Sequence, residues 1–332
     1  MGEFELIERY FKRPARRAAL GVGDDCALLQ PAPGTQLAIS SDMLVEGRHF
    51  LCTADPFKLG HKALAVNLSD LAACGATPVA FTLALALPRV DEAWLAPFSQ
   101  GLLALADAHG CELVGGDTTQ GPLNICITVF GEVPVLNGRS QALLRSGAQV
   151  GDDLYVSATL GDARLALEVF RGTLSVPAPV FDAARLRLEK PTPRVALGLA
   201  LRGLATAAID VCDGLLGDLG HILKQSGVGA TVDTEIAINL IASYIYYTGA
   251  RGQFNTEIST NQWLGWALAG GDDYELLFTA PPSARPAIEA AALTSQTPVT
   301  RIGRIDKERG LRLVDGQGRA VPNRYTSFDH FA

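Results

Sequence analysis

The sequence predicts a two-domain protein of mixed α/β or α+β class, and three observations predict it. At 332 residues the chain is longer than one ordinary core supports. Its 48% hydrophobic and 19% charged residues are those of a chain that buries a large apolar interior. Strand-like and helix-like segments alternate on either side of a polar, glycine-containing stretch near the midpoint, "LNGRSQALLRSGAQVGDD". That stretch is the linker candidate, and it sets expected domains of 1–147 and 148–332.

The elements follow in order. Phe4, Ile7 and Phe11 fall on one helical face and predict a short opening helix. "GVGDDCALL" then places Asp24 and Asp25 side by side behind a glycine turn, where two like charges need something to offset them. "TQLAIS" reads as a strand that delivers Ser40, Ser41 and Asp42 at its end. Asp55 and Pro56 are the cap and first-turn pair of a helix through "FKLGHKALAVNLSDLAAC", stopped by Gly75. On it Asn67 and Asp70, three apart, share a face. "VAFTLALALP" is a strand, and "EAWLAPFSQGLLALADAHG" is a helix interrupted by Pro97 and ended by Gly110. The buried strand "CELVGG" runs into "DTTQGP", and "NICITVFGEVP" is expected to return as its partner. "DLYVSATLG" opens the second half, with Asp162 as the expected N-cap of "ARLALEVF". The second half also carries "AIDVCDGLLGDLGHIL" and "LAGGDDYELLFTAP". The shared Gly-Gly-Asp at Gly115 and Gly270 hints at related halves without establishing a repeat.

Charge and cysteine usage narrow the function. A net charge of −7 argues against a broad nucleic-acid footprint, which needs a basic surface, but admits phosphate ligands if metal ions supply the positive charge. The six cysteines form no CxxC pair, so neither a zinc site nor a disulfide framework is suggested. They read as buried thiols of a reducing compartment. The N-terminus has no secretory pattern and no apolar run is long enough for a membrane span, so the expected location is the cytoplasm.

The aspartates carry the chemical signal. Asp24, Asp25, Asp42, Asp70, Asp117, Asp210, Asp213, Asp218, Asp272 and Asp273 sit mostly where an apolar segment meets Gly or Ser. Taken singly, each is a turn or cap residue. As a set they are the short, hard oxygen donors that Mg²⁺ takes alongside substrate phosphates. No GxxxxGK[ST], HRD or DFG signature is present, "GVGDDC" lacks the last glycine of a dinucleotide fingerprint, and no GxSxG is found. His49 is balanced between a surface histidine and a site residue. His61, His109 and His221 lie within helical patterns and are expected to be structural.

In order, "GEFELIERYF", "GVGDDCALL", "LAISSDMLVEGRHF", "KALAVNLSDLAACGATP", "LVGGDTTQGP", "RSGAQVGDDLYV", "AIDVCDGLLGDLGHI", "GGDDYEL" and "FDHFA" resemble the bacterial thiamine-phosphate kinases. The resemblance spans nearly the whole chain and is weakest around 235–262. It places the chain in a superfamily with aminoimidazole ribonucleotide synthetase, selenophosphate synthetase and a hydrogenase-maturation protein. It implies ATP-dependent phosphorylation of thiamine phosphate to thiamine diphosphate. It also implies a homodimer whose first-domain sheets join into a barrel, with an α/β second domain across a cleft. By motif, Asp25, Asp42, Asp70, Asp117 and Asp210 would hold several Mg²⁺ ions, assisted by Ser40, Ser41 and Asp213. Gly116, Asp117, Arg145 and Cys212 would meet ATP, and His49, Asp272 and Phe328 would line the thiamine end. No covalent nucleophile or general base is implied.

Three positions depart from the family pattern: Cys212 for serine, Asp272 for glutamate and Ser41 for threonine. They bear on affinity and rate. Two alternatives stay open at this point: a synthetase of the same fold acting on another acceptor, and a nucleotide- and metal-binding protein that has lost catalysis. A lid formed by Tyr244–Phe254 is also left open.

Overall fold

The computed structural model describes residues 2–244 and 258–328. The stretch considered as a lid lies, past Tyr244, outside the described residues. The chain divides into two compact units: Met1–Leu71 with Ala76–Ala142 and Glu189–Val195, and Ala72–Gly75 with Leu143–Leu188 and Ala196–Ala332.

Unit 1 is built on a mixed sheet with strand order β1-β4-β2-β3. Its strands are β1 (Thr35–Val45), β2 (Thr77–Leu87), β3 (Glu112–Gln120) and β4 (Asn124–Leu136), with the two-residue β5 (Arg139–Ser140) on β4. Helix α1 (Glu3–Tyr10) opens the chain, α2 (Pro56–Ala73) follows β1, and α3 (Glu92–His109) joins β2 to the parallel β3. The Asp55 side chain accepts the Lys58 N–H at 3.0 Å and caps α2, while Gly75 takes φ +62° just past its end.

Four expectations are corrected here. The strand β1 does not stop at Ser40 but runs on through Asp42 to Val45, because Ser41 and Asp42 pair with Thr128 and Ile127 of β4. The segment "NICITVFGEVP" does not pair with β3; it inserts between β1 and β2, and β3 lies parallel to β2. Helix α3 is not interrupted: Pro97 sits inside its eighteen residues, in the second turn. In α1 the buried residue is Leu6, and Phe4 stands 83% exposed.

Unit 2 holds a seven-stranded sheet of order β12-β11-β8-β10-β6-β9-β7. It comprises β6 (Asp153–Ser157), β7 (Ala207–Val211), β8 (Gly229–Asp233), β9 (Glu275–Ala280), β10 (Val299–Asp306), β11 (Gly310–Val314) and β12 (Ala320–Val321). Its core gathers buried residues of β6, β7 and β9 with α4 (Asp162–Phe170), α5 (Ala178–Glu189), α7 (Leu215–Ser226) and Trp263, and the short α6 (Val195–Ala200) follows α5 in the chain. The N-cap of α4 is Gly161, not Asp162. The buried Asp162 carboxylate instead accepts the N–H groups of Ala242 and Ser243, each at 3.1 Å, and the Ser243 hydroxyl at 2.6 Å. The two Gly-Gly-Asp stretches differ locally, one lying in strand β3 and the other in a turn before β9.

The cysteines are not all buried. Cys111 is, and burial pushes its thiol up to about 12, but Cys26 and Cys52 are exposed. Among the described residues no helix is long and apolar enough to cross a membrane.

Candidate functional site

The acidic residues form three groups, two in unit 1 and one in unit 2. The first group is built on the turn at Gly23. Leu20 and Leu28 bridge across the loop, with the Leu28 N–H donating to Leu20 at 2.9 Å, so residues 21–27 project as a tight excursion. At its tip the Asp25 N–H donates to Asp24 Oδ1 at 2.8 Å. One carboxylate of the pair is therefore engaged with the turn itself, and solvent screens both. Asp24, Asp25 and Asp117 line one cleft of about 650 Å³, walled by Phe4 and Ile7 of α1 and by Thr82 of β2.

Gly116 lines the same cleft with φ +150°, and a Cβ there would lie 1.8 Å from the Leu83 carbonyl oxygen. The glycine is thus required by the neighbouring strand as well as by anything entering the cleft.

The second group lies on β1 and α2. Ser40 Oγ donates to Asp70 Oδ2 at 2.5 Å, and the Asp42 N–H donates to Asn67 Oδ1 at 3.0 Å. Asn67 is fully buried and returns its Nδ2 to the Ala63 carbonyl at 3.0 Å. The three-residue spacing of Asn67 and Asp70 does put both on one helical face, against one strand face. Strand alternation sends Ser41 to the other face, where its hydroxyl meets Thr128 Oγ1 at 3.0 Å and the Ile127 carbonyl at 3.2 Å. Ser40, Asp42 and Asp70 are not among the residues lining the cleft. His49 sits just past β1, its Nδ1 accepting the Val45 N–H at 3.0 Å, which places the proton of the neutral ring on Nε2.

The third group belongs to unit 2. Asp210 is buried in β7, and ligand atoms of Cys212, Asp213 and Asp218 lie within 4.8 Å of one another. Asp218, in the first turn of α7, accepts the N–H groups of Cys212, Asp213 and Gly214 at 3.1, 3.2 and 3.2 Å. Burial, then the Asp213 charge, pushes its carboxyl up to about 7 against those three donors. Asp272, at φ +60°, donates its N–H to the Cys212 carbonyl at 2.8 Å. The Phe328 N–H donates to the Asp213 carbonyl at 3.1 Å. Two of the three residues expected at the thiamine end, Asp272 and Phe328, are therefore fastened by main chain to the 212–213 turn, whereas His49 lies beside β1.

The Arg145 main chain meets the far end of α7. Its carbonyl accepts from Ser226 Oγ at 3.2 Å, at the last residue of α7, whereas Asp213 and Asp218 stand at the first turn. Ser226 lies roughly 12 Å along the helix axis from Asp218. The sequence singles out Asn67 through its helical spacing to Asp70, and Asp218 as one of the clustered aspartates. Ser327, described below, gives no such signal.

Comparison with known proteins gives two family models: AIR synthase related protein, N-terminal domain, over residues 23–133, and its C-terminal domain over residues 149–316. A protein of Salmonella typhimurium named thiamine-monophosphate kinase is 46% identical over 338 residues, covering 100% of this chain and 98% of its own. The crystal structure of thiamine-monophosphate kinase from Stenotrophomonas maltophilia K279a matches at 45% identity and TM-score 0.80, over 92% of each chain. The structure described as AaThiL complexed with AMPPCP and TMP matches at 29% identity and TM-score 0.74, over 93% of this chain and 92% of that one.

Proposed function

The chain belongs to the thiamine-monophosphate kinase family, and we propose that it transfers the γ-phosphoryl group of ATP to thiamine monophosphate, giving thiamine diphosphate and ADP. The observation that carries the reading is the cleft in which Asp25 and Asp117, far apart in sequence, face the same space. A phosphate-bearing substrate pair needs cations, and cations need such oxygens.

The donor chemistry fits Mg²⁺. The carboxylates of Asp25, Asp42, Asp70 and Asp117 with the Ser40 hydroxyl in unit 1, and those of Asp210 and Asp213 in unit 2, are hard oxygens. These residues would hold the ions. When bound, the ions supply the positive charge that lets two phosphate anions approach. Asn67 and Asp70 hold the β1 face through their bonds to Asp42 and Ser40, so the carboxylates are pre-set before substrate arrives. Cys212 offers a softer donor than the serine of the family pattern and weakens that corner of the set.

The acceptor is a phosphate oxygen with a second pKa near ~6, so it enters largely deprotonated at neutral pH and needs no general base. The reaction is a direct in-line displacement: the acceptor oxygen bonds to the γ-phosphorus as the bond to the β,γ-bridging oxygen breaks, and ADP leaves with that electron pair. His49, Asp272 and Phe328 orient the thiamine end. The enzyme works in the cytoplasm, where ATP is supplied.

The protein also acts as a homodimer. The edge strand β1 leaves Leu37, Ile39 and Met43 exposed on one face, an apolar stripe that a second copy would cover.

An ADP-coupled assay tests the activity. ADP is expected with thiamine monophosphate and not with unphosphorylated thiamine, and equal rates with both would reject the acceptor. Asp42→Asn and Asp117→Asn should each lower kcat/KM by at least about 100-fold while the unfolding midpoint holds. Near-parent activity in either would remove that residue from the cation set.

A further inference from the structure

Residues 322–328, the last described part of the chain, form no regular element, yet hydrogen bonds tie them to the turn and helix of the third acidic group. The Gly217 N–H donates to Ser327 Oγ at 2.8 Å, and one residue on, the Phe328 N–H donates to the Asp213 carbonyl at 3.1 Å. The first of these bonds satisfies an N–H in the opening turn of α7, which has no intrahelical partner. The N-cap of that helix is Gly214, with no side chain to do so. Ser327 therefore caps a helix from 110 residues away. Tyr325 packs on the apolar core of the same unit, so the segment is held at three points.

The fit is close. A Cβ at Gly217 would lie 2.6 Å from Ser327 Cβ and 2.7 Å from its Oγ, so the segment reaches its place only because residue 217 has no side chain. Glycine inside a helix is ordinarily a disadvantage, and here it is offset by this contact. We infer that Gly217 and Ser327 are positioning residues for the transfer reaction. Through them the half-exposed Phe328 is fixed to the backbone of Asp213, and the group that meets the thiamine end is held in register with a carboxylate of the cation set. The inference rests on the reading that Phe328 contacts thiamine monophosphate.

Steady-state kinetics on the full chain, with the unfolding midpoint measured in parallel, test it. Phe328→Ala reports on the underlying reading and should raise KM for thiamine monophosphate. Gly217→Ala should raise that KM by about 5- to 20-fold, with kcat within about 3-fold and the midpoint unchanged or higher, since alanine favours the helix. Ser327→Ala, which removes the cap and leaves the backbone free to fold, should raise KM by about 3- to 10-fold. Adding Gly217→Ala to Ser327→Gly should have no further effect, because the clash needs the serine side chain. If Phe328→Ala raises KM and Gly217→Ala does not, the positioning role is overturned while the reading of Phe328 stands. If Phe328→Ala leaves KM unchanged, that reading falls and the inference with it. A Gly217→Ala protein whose midpoint drops while KM holds would show a structural role only, and also overturns it.

Discussion

At the residue scale, Asp273 shows what unit 2 spends to hold its acidic turn. It is 2% exposed and lies between Asp272 and Tyr274, both at positive φ, +60° and +50°. Such conformations cost about 1–3 kcal/mol each in non-glycine residues and persist only where the surroundings over-determine them. The surroundings here are specific. Asp273 Oδ1 accepts the Gly161 N–H at 2.9 Å, Arg187 Nη2 reaches Glu275 Oε1 at 2.5 Å, and Ser157 donates to the other Glu275 oxygen. Asp273 Oδ2 has no hydrogen-bond partner among the described residues. Burial, opposed by the Arg187 charge, raises the Asp273 carboxyl well above the usual carboxylate range. Since its folded value lies above its unfolded value, the folded state binds more protons in the interval between them, and stability falls as pH rises through that interval. Asp273→Asn keeps an acceptor for Gly161 and removes the titration. Urea midpoints taken from pH 4.5 upward should therefore fall less steeply in the variant than in the parent, and parallel curves would refute the assignment.

At the element scale, α2 and α3 pack closely enough that one atom decides the sign of a substitution. Helix propensity favours alanine over glycine by about 1 kcal/mol at an interior position such as Gly101. A Cβ there, however, would lie 1.9 Å from the Phe57 carbonyl oxygen and 2.7 Å from its carbon, both backbone atoms of α2. Gly101→Ala should therefore destabilise by about 1–3 kcal/mol, seen as a lower urea midpoint. Because α2 carries Asn67 and Asp70, the same variant should lose turnover as well. A midpoint equal to or above the parent would mean the helices separate at no cost.

At the scale of the whole molecule, the open stripe on β1 is the feature a single copy leaves unresolved. Leu37, Ile39 and Met43 stand 43%, 60% and 52% exposed, alternating along an edge strand whose opposite face carries Ser40 and Asp42. Sedimentation should give twice the chain mass of 35.1 kDa for the parent and the single mass for Ile39→Asp. A parent that sediments as one copy would refute the dimer.

Much of this was set by short stretches of sequence. Asp55 and Gly75 bound α2, Gly110 ends α3, and the three-residue spacing of Asn67 and Asp70 puts both against β1, because caps, stops and helical faces depend on residues within a turn or two of one another. The aspartate turns and the ordered motifs likewise point to phosphate and cation chemistry. Tertiary structure alone decided that β4 enters between β1 and β2, that Ser40 and Ser41 part to opposite faces of a strand longer than its pattern suggested, that Asp162 serves a distant segment, and that Ser327 caps α7. Each of those joins residues about 80 to 110 positions apart or depends on which strand lies alongside, and local periodicity holds no record of the partner; that is fixed only when burial of the whole apolar surface selects one arrangement.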